Sequence, residues 1–341
     1  MDAPNRLRLD GAALVENWRA LARMSGRAAC GAAVKANGYG LGAEKVVRRL
    51  ARAGCQHFFV ATWAEARALA GTGVALAVLH GAREADMAWA AEGFAKPVLS
   101  TPLQVQRWRA AGLGTCDVMV ETGMNRLGIA PADILAGLLD GLQIDTLMSH
   151  LACAEEKVPH NEHQRASLAA LAGRTGARRL SLANSAGIAL GRDYAFDLTR
   201  PGLALYGGVP CAALAPFIRP VVTVEAEVLQ RRLVRAGDGV GYNLTWSAPR
   251  DSEVAILNLG YADGYRRAFS NTGTALLNGK PLPVIGRISM DLTAVDTTGF
   301  DVGEGDWLSF DPDLAWAAEA TGVSQYELLT GLGQRFDRVW C

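Results

Sequence analysis

Residues 32–42 read AAVKANGYGLG and hold the pattern on which the prediction of the fold rests. An apolar run that begins at Cys30 leads into Lys35, and three glycines follow within residues 38–42. Such a run predicts a buried strand with a lysine at its C-terminal end. Because desolvating an ammonium group costs free energy, this lysine either serves a chemical purpose or reaches solvent along its aliphatic stem.

Short apolar runs that alternate with helical segments continue outward from this stretch. The eight runs are Cys30–Lys35, His57–Ala61, Val74–Leu79, Pro97–Ser100, Cys116–Glu121, Ile144–His150, Arg179–Asn184 and Phe196–Arg200. They are nearly continuous, which is typical of parallel strands covered on both faces. The count predicts a (β/α)8 barrel of the TIM type over residues 1–218. A doubly wound sheet is the alternative, but it would not require eight strands.

Helices are predicted between these runs and before the first of them. An amphipathic helix with Asp10 as its N-cap precedes the first run. The other predicted helices are Ala43–Ala53, Thr62–Ala70, Arg83–Glu92, Pro102–Ala111, Pro131–Leu139 and Asn161–Gly173.

The pattern changes after Phe217. Apolar and polar residues alternate through residues 221–235, which is typical of half-buried antiparallel strands. Further short strands are predicted at Glu253–Leu259, Thr274–Leu277, Leu282–Ile288, Thr293–Val295 and Asp306–Ser309. A cap at residues 311–313 begins a helical stretch, and Val323–Thr330 is also helical in pattern. The sequence therefore predicts a second, mainly β domain over residues 219–341.

Composition and charge exclude several classes of function. Lys and Arg number 34, as do Asp and Glu, so the basic surface typical of nucleic-acid binding is not expected. Apolar stretches end well before the length that spans a membrane, and residues 1–6 lack the apolar segment of an export signal. The six cysteines and five histidines show no metal-ligand spacing. A cytoplasmic, soluble, two-domain protein is expected, and a metal site is not.

Polar residues cluster at the C-terminal ends of the predicted barrel strands, where barrels carry their chemistry. They include Lys35, Tyr39, Glu121, Met124, Asn125, Arg126, His150, Asn184, Ser185, Arg200 and Gly202. The loops at 184–187 and 200–203 follow the last two strands, a place where barrels often bind phosphate. Three further motifs, GDGVGY at 237–242, GYADGY at 260–265 and GRISMD at 286–291, lie in the second domain.

Taken in order, the motifs along the chain resemble those of the alanine racemases, two-domain enzymes of the fold-type-III pyridoxal-phosphate (PLP) class. The matching segments are AVKANGYG at 33–40, ETGMNRLG at 121–128, SHLA at 149–152, ANSA at 183–186, RPGLALYG at 200–207, GY at 241–242, GYADG at 260–264 and GRISMD at 286–291. The resemblance implies a homodimer in which each active site combines one barrel with the partner's β domain.

The resemblance also implies a role for each matching residue. Lys35 corresponds to the lysine that holds PLP covalently and serves as one of two catalytic bases, and Tyr242 from the other subunit corresponds to the opposite base. The cofactor-binding positions are Tyr39, Arg126, His150, Asn184, Ser185, Arg200, Gly202 and Leu203, and the substrate-binding positions are Arg126, Met290 and Asp291. Tyr39, Ser185, Gly202 and Leu203 correspond to phosphate contacts.

Arg200 corresponds to the arginine that faces the pyridine nitrogen of the cofactor. An arginine stays protonated and donates only, so it keeps that nitrogen unprotonated and limits transamination. Fold-type-III decarboxylases, an alternative, place an acidic residue there. A non-catalytic PLP-binding protein is a further alternative, but such proteins are single barrels.

Two positions depart from the family pattern. Many members carry a carbamylated lysine where this chain has Met119, so Arg126 needs another means of orientation. Some place a phosphate-binding tyrosine near Gln334, for which no role is predicted. The sequence does not separate alanine from serine or a broader range of substrates. Nor does it separate a D-alanine supply for peptidoglycan from use of D-alanine as a nutrient.

Overall fold

The computed structural model describes residues 3–310 and 313–341, which form two compact units. One unit is Leu14–Arg219, and the other joins the described residues up to Ala13 to Pro220–Cys341. Of the cap predicted at 311–313, residues 311 and 312 lie outside the described residues. Asp313 accepts the backbone N–H of Ala315 at 2.9 Å, as an N-cap does.

The strands, in chain order, are β1 (Asn5–Leu9), β2 (Ala29–Cys30), β3 (Ala32–Ala33), β4 (His57–Val60), β5 (Ala75–Val78), β6 (Lys96–Leu99), β7 (Cys116–Met119), β8 (Ile144–Met148), β9 (Arg179–Ser181), β10 (Leu198–Thr199), β11 (Val222–Val234), β12 (Gly239–Val240), β13 (Trp246–Ser247), β14 (Ser252–Leu257), β15 (Thr274–Leu277), β16 (Lys280–Ile285), β17 (Thr293–Asp296), β18 (Trp307–Phe310) and β19 (Asp337–Trp340). The α-helices are α1 (Gly11–Met24), α2 (Lys35–Tyr39), α3 (Ala43–Arg52), α4 (Trp63–Leu69), α5 (Met87–Ala91), α6 (Pro102–Ala110), α7 (Pro131–Leu135), α8 (Pro159–Ala169), α9 (Ser185–Ala189), α10 (Leu314–Thr321) and α11 (Gln325–Thr330).

The first unit is the predicted barrel. Strands β3 to β9 form a parallel sheet in chain order, and β10 pairs in parallel with β2. Backbone hydrogen bonds from Arg200 N to Ala183 O (2.8 Å) and from Ala33 N to Pro201 O (2.9 Å) join the last strand region to both of its neighbours. The prediction of an eight-stranded parallel α/β barrel is therefore confirmed.

The first predicted strand is divided in the structure at Gly31. A Cβ atom at this position would lie 2.9 Å from the carbonyl oxygen of His57 and 2.8 Å from the ring of Phe59. The backbone of the first strand thus approaches β4 too closely for a side chain, and its pairing passes from β10 to β4 at this point.

The second unit is an antiparallel β structure, as predicted. Its sheet runs in the order β14-β17-β16-β15-β18-β11-β1-β19, and β11 also pairs with β14. With 13 residues, β11 is long enough to serve both pairings, so six of these strands close into a barrel. The motif 237–242 contains β12 and the residues that flank it, and the motifs 260–265 and 286–291 lie in loops and turns of this unit. Across the described residues, every helix is too short or too polar to cross a membrane.

Candidate active site

Lys35 lies just past the end of β3, in a turn of unusual backbone geometry. Ala36, Asn37 and Gly38 all adopt left-handed conformations, with φ of 53°, 53° and 64°. Such angles are costly for a residue like alanine, so other contacts must impose them. Glu65 supplies one contact, because its carboxylate accepts the N–H of Ala36 at 2.7 Å. The turn is fixed rather than loose, and Lys35 is fixed with it.

The surroundings of Lys35 favour its neutral amine. Burial lowers the pKa of the Lys35 ammonium group, and the positive charge of Arg126 lowers it further. The carboxylate of Glu65 acts in the opposite direction but does not outweigh them. A lysine in this state is a better nucleophile and proton acceptor than an exposed one.

Arg200 lies buried inside the barrel, with a relative exposure of 6%. Its guanidinium donates to Ser181 Oγ and to the backbone carbonyl of Ser149, and it lies 3.5 Å from His150 Nδ1. Burial lowers its pKa to about 10, so it remains a cation at neutral pH. These contacts fix both the position and the charge of the group.

His150 is a neutral acceptor for this cation. Burial lowers its pKa to about 3, and the charges of Arg200, Arg126 and Lys35 add to the effect. A contact from the guanidinium to Nδ1 requires the neutral ring to carry its proton on Nε2. His150 therefore contributes a dipole, without a charge, to the interior of the barrel.

The predicted phosphate-binding residues come together after the last two strands of the barrel. Ser185 Oγ accepts the N–H groups of Gly202 (3.0 Å) and Ala204 (3.2 Å). A Cβ atom on Gly202 would lie only 2.1 Å from the hydroxyl oxygen of Tyr39, whose ring stacks on Tyr206 at 4.5 Å. Gly202 thus lets the Tyr39 hydroxyl approach the backbone closely, which a side chain at this position would prevent.

Two further members of this predicted set lie beside it. The side chain of Asn184 caps α9 by accepting the N–H of Gly187 at 2.8 Å. Leu203 begins a short 3-10 turn that ends at Tyr206. Both positions therefore belong to the same pair of loops as Ser185 and Gly202.

Glu121 organises the loop that carries Arg126, a contact that the sequence analysis missed. Its carboxylate accepts the N–H groups of Gly123, Met124 (2.6 Å) and Arg126 (3.2 Å). Burial opposes ionisation, but the N–H groups of this turn, that of Asn125 included, outweigh it and lower the pKa of Glu121. Glu121 therefore holds the backbone at Arg126 in place.

Met119, at the end of β7, has an uncharged side chain and therefore cannot form an ion pair with Arg126. Its thioether side chain is buried, with 6% exposure, and its carbonyl accepts the N–H of Ile129 at 2.9 Å. Asn125 has φ of 54°, a left-handed conformation that asparagine tolerates better than most residues. An acidic residue followed two positions later by glycine was the available signal for this turn.

The remaining predicted residues, Tyr242, Met290 and Asp291, belong to the second unit. Tyr242 begins a 3-10 turn after Gly241 and is 64% exposed, and Met290 is 54% exposed. Met290 accepts the N–H of Ala262 at 3.0 Å through its carbonyl, and the Asp291 carboxylate pairs with Arg335 at 2.7 Å. Arg335 is a second contact that the sequence analysis missed, because it lies 44 residues further along the chain.

No group of three or more His, Cys, Asp or Glu side chains in the described part of the chain is arranged to hold a metal ion.

Comparisons with known proteins cover both units. Residues 9–210 match the family described as "Alanine racemase, N-terminal domain", and residues 221–340 match "Alanine racemase, C-terminal domain". The alanine racemase of Acidiphilium cryptum is 43% identical, with 98% of each chain covered, and the catabolic alanine racemase of Agrobacterium fabrum is 40% identical, with 98% of this chain and 92% of that one covered. A crystal structure of alanine racemase from Bartonella henselae with covalently bound pyridoxal phosphate has a TM-score of 0.90, 35% identity and 99% coverage of both chains. The chain belongs to the alanine racemase family.

Proposed function

We propose that this chain is a PLP-dependent alanine racemase, EC 5.1.1.1, which interconverts L-alanine and D-alanine. The observation that carries the proposal is the set of groups that lie with Lys35 at the C-terminal rim of the barrel. There, an amine of lowered pKa shares the rim with the Ser185–Gly202 loops and with the buried cation Arg200. The membership of the family supports the same reaction.

The residues present fit the cofactor. Lys35 has the partly desolvated amine that forms a covalent link to a carbonyl compound. Gly202 lets the Tyr39 hydroxyl lie close to the backbone to which Ser185 Oγ is hydrogen-bonded, and these groups, with Leu203 and Asn184 in the same loops, would hold the phosphate group. Arg200 and His150 would lie against the ring, and Arg126 near its oxygen.

The reaction requires proton transfer on both faces of the substrate Cα. When bound, PLP withdraws electrons from the amino acid and acidifies the α-proton. We assign proton transfer on one face to the Nζ atom of Lys35 and on the other to the hydroxyl of Tyr242. Arg200 remains protonated, so it favours an unprotonated pyridine nitrogen and opposes the decarboxylase alternative.

We further propose that the enzyme is a homodimer in which the β domain, residues 219–341, completes the partner's barrel site. Tyr242 lies on a unit that exposes several large apolar side chains, which a second copy would cover. They are Leu233 (53% exposed), Leu244 (63%), Met290 (54%) and Leu292 (39%). Tyr242, Met290 and Asp291 would then reach the α-carboxylate and Cα of alanine in the partner.

A cytoplasmic location is proposed on the state of the cysteines. All six are free thiols, and Cys30, Cys55 and Cys116 are buried. Free cysteines are typical of reducing compartments.

The proposed substrate is alanine, and a serine or broader amino-acid racemase of the same family is the alternative.

The experiment that tests the function follows α-proton exchange and product chirality across a panel of L-amino acids. Alanine should exchange its α-proton for solvent deuterium and racemise, with other amino acids slower. Exchange that is fastest with serine would favour the alternative, and carbon dioxide release without racemisation would overturn the proposal.

A second experiment tests the shared site. Lys35→Ala and Tyr242→Phe proteins are each purified, then mixed and allowed to exchange subunits. A mixed dimer contains one site with both bases intact, so part of the activity should return. Mixing that restores no activity, although subunit exchange is demonstrated, would show that each subunit is self-contained.

A further inference from the structure

Arg335 joins two carboxylates of the β unit that differ greatly in exposure. Its Nε atom lies 2.7 Å from Asp263 Oδ1, and one terminal nitrogen lies 2.7 Å from Asp291 Oδ1. Asp263 is fully buried, whereas the Asp291 side chain is 51% exposed. The planar guanidinium thus connects the interior of the unit with a surface residue.

Asp263 is a rigid end of this connection. Besides Arg335, it accepts the side-chain N–H of Asn5 at 3.1 Å and the backbone N–H of Gly260 at 3.0 Å. A buried carboxylate with a cation and two further donors has little freedom to move. Arg335 is therefore held from the interior.

The backbone before Asp291 is held by residues 260–262, which belong to the same motif as Asp263. Gly260 approaches Met290 so closely that a Cβ atom would lie 2.2 Å from the Met290 carbonyl oxygen. The N–H groups of Tyr261 and Ala262 donate to Ser289 O (3.1 Å) and Met290 O (3.0 Å). With the backbone fixed in this way, the Arg335 contact determines where the Asp291 carboxylate points.

We propose that Arg335 is a positioning residue for the racemase reaction, which holds the Asp291 carboxylate in place and neutralises it beside the substrate. This rests on the proposed function, in which Asp291 lies near the α-carboxylate of alanine. An unpaired carboxylate there would repel the α-carboxylate of the substrate, because like charges a few ångströms apart weaken binding. Paired with Arg335, it can line the site without that cost.

The fork geometry of arginine is what the role requires. Two nitrogens of one planar group reach two carboxylates in fixed directions, whereas the ammonium group of lysine is a single point charge. Lysine at position 335 retains a cation for the buried Asp263 and cannot hold Asp291 in the same position. Arg335→Lys therefore separates the positioning of Asp291 from the folding of the unit.

The experiment measures kcat and KM for L-alanine and D-alanine in holoenzyme with Arg335→Lys, Asp291→Asn and both together. We expect Arg335→Lys to raise KM about tenfold in both directions, with kcat changed less than about twofold. In the Asp291→Asn background the same substitution should change KM less than about twofold, since the residue through which it acts is gone. Thermal unfolding of each protein is recorded alongside.

Arg235→Lys is the matched control, since Arg235 pairs with Asp251 at 2.7 Å on the surface of the same unit. It should leave KM within about twofold of the original. Equal KM effects of Arg335→Lys with and without Asp291 would overturn the proposal, as would a loss of thermal stability with KM unchanged. Failure of the proposed function is distinct, because the unsubstituted protein itself would then not racemise alanine.

Discussion

The surroundings of Lys35 and Tyr242 differ in a way that bears on how the enzyme is assembled. Both residues lie in turns with left-handed backbone, at Ala36 and Asn37 in one case and at Asn243 in the other. The Lys35 turn is enclosed by its own unit, which desolvates the amine and places charged partners around it. Tyr242 is 64% exposed on the surface of its unit. In the proposed mechanism, one base is thus enclosed by its own unit, whereas the other would need an environment supplied by a partner subunit.

Removing the enclosed base should have the largest effect. Lys35→Ala should reduce racemisation by roughly 10⁴-fold, because the proposed mechanism makes the residue both the covalent anchor and a proton acceptor. Borohydride reduction followed by mass spectrometry should find no cofactor attached to the chain. Lys45→Ala, at an exposed position on α3, serves as the control and should retain the attachment at Lys35. Cofactor attached to Lys35→Ala after reduction would contradict the assignment.

Removing the exposed base should spare the cofactor. Tyr242→Phe should reduce racemisation roughly 10²- to 10³-fold, since one of two proton transfers loses its acceptor. The loss should be greater for deuterium exchange starting from L-alanine than from D-alanine, and PLP affinity should change little. Tyr194→Phe, which removes an exposed hydroxyl from the barrel unit, is the control. Equal losses of cofactor affinity and activity would contradict the assignment of Tyr242 as a base that does not bind the cofactor.

The sequence predicted the elements of both halves better than their contacts. Continuous apolar runs predicted the parallel strands, because a strand buried on both faces has apolar residues at nearly every position of its own short segment. Strand β1 was not predicted, since its residues are ordered by pairing with β11 and β19, more than 200 residues away. Pairing over that distance leaves no local pattern.

The same limit applies to the site. Lys35, Arg200 and Ser185 were predicted because each follows a strand whose end could be located. The roles of Glu121 and Arg335 were not, since one binds backbone N–H groups and the other joins residues distant in sequence. Neither type of contact follows from the identity of the residue alone.

Weakening the loop that carries Arg126, without removing either proposed base, should reduce activity less than the two substitutions above. Glu121→Gln replaces one acceptor oxygen with an amide that repels the N–H groups of residues 123–126. Arg126 should then be less well placed, and kcat/KM should fall roughly tenfold. The pKa of Lys35 should rise toward its ordinary value, because Arg126 is one of the groups that lowers it.

The pH profile of kcat measures this change, because the amine of Lys35 would be free only in the complex with substrate. Its acid limb should move to higher pH in Glu121→Gln, as a free amine then requires more alkaline solution. Glu44→Gln, which breaks an exposed pair with Arg48 on α3, should leave the limb in place. A Glu121→Gln protein with lower activity but an unshifted acid limb would show that the loop acts on something other than Lys35.

A further effect should appear in stability at acid pH, and it should come from a buried residue of the barrel. Burial and the neighbouring cations hold the pKa of His150 at about 3, against an unfolded value near 6.5. Between these values the unfolded chain binds a proton that the folded chain does not. The contribution of His150 to the free energy of unfolding therefore falls as the pH is lowered, by about 2 kcal/mol at pH 5 relative to pH 8.

Urea denaturation of His150→Gln and of the unsubstituted holoenzyme isolates this contribution. The difference in unfolding free energy between the two proteins should shrink or reverse from pH 8 to pH 5, because only the protein with His150 has the penalty. His163→Gln, at an exposed position on α8, should reproduce the pH dependence of the unsubstituted protein. If the difference between His150→Gln and the original is constant with pH, then His150 has the same pKa in the folded protein as in the unfolded chain. The interior beside Arg200 would in that case be as open to water as the surface that carries Tyr242, and the contrast between the two halves would not hold.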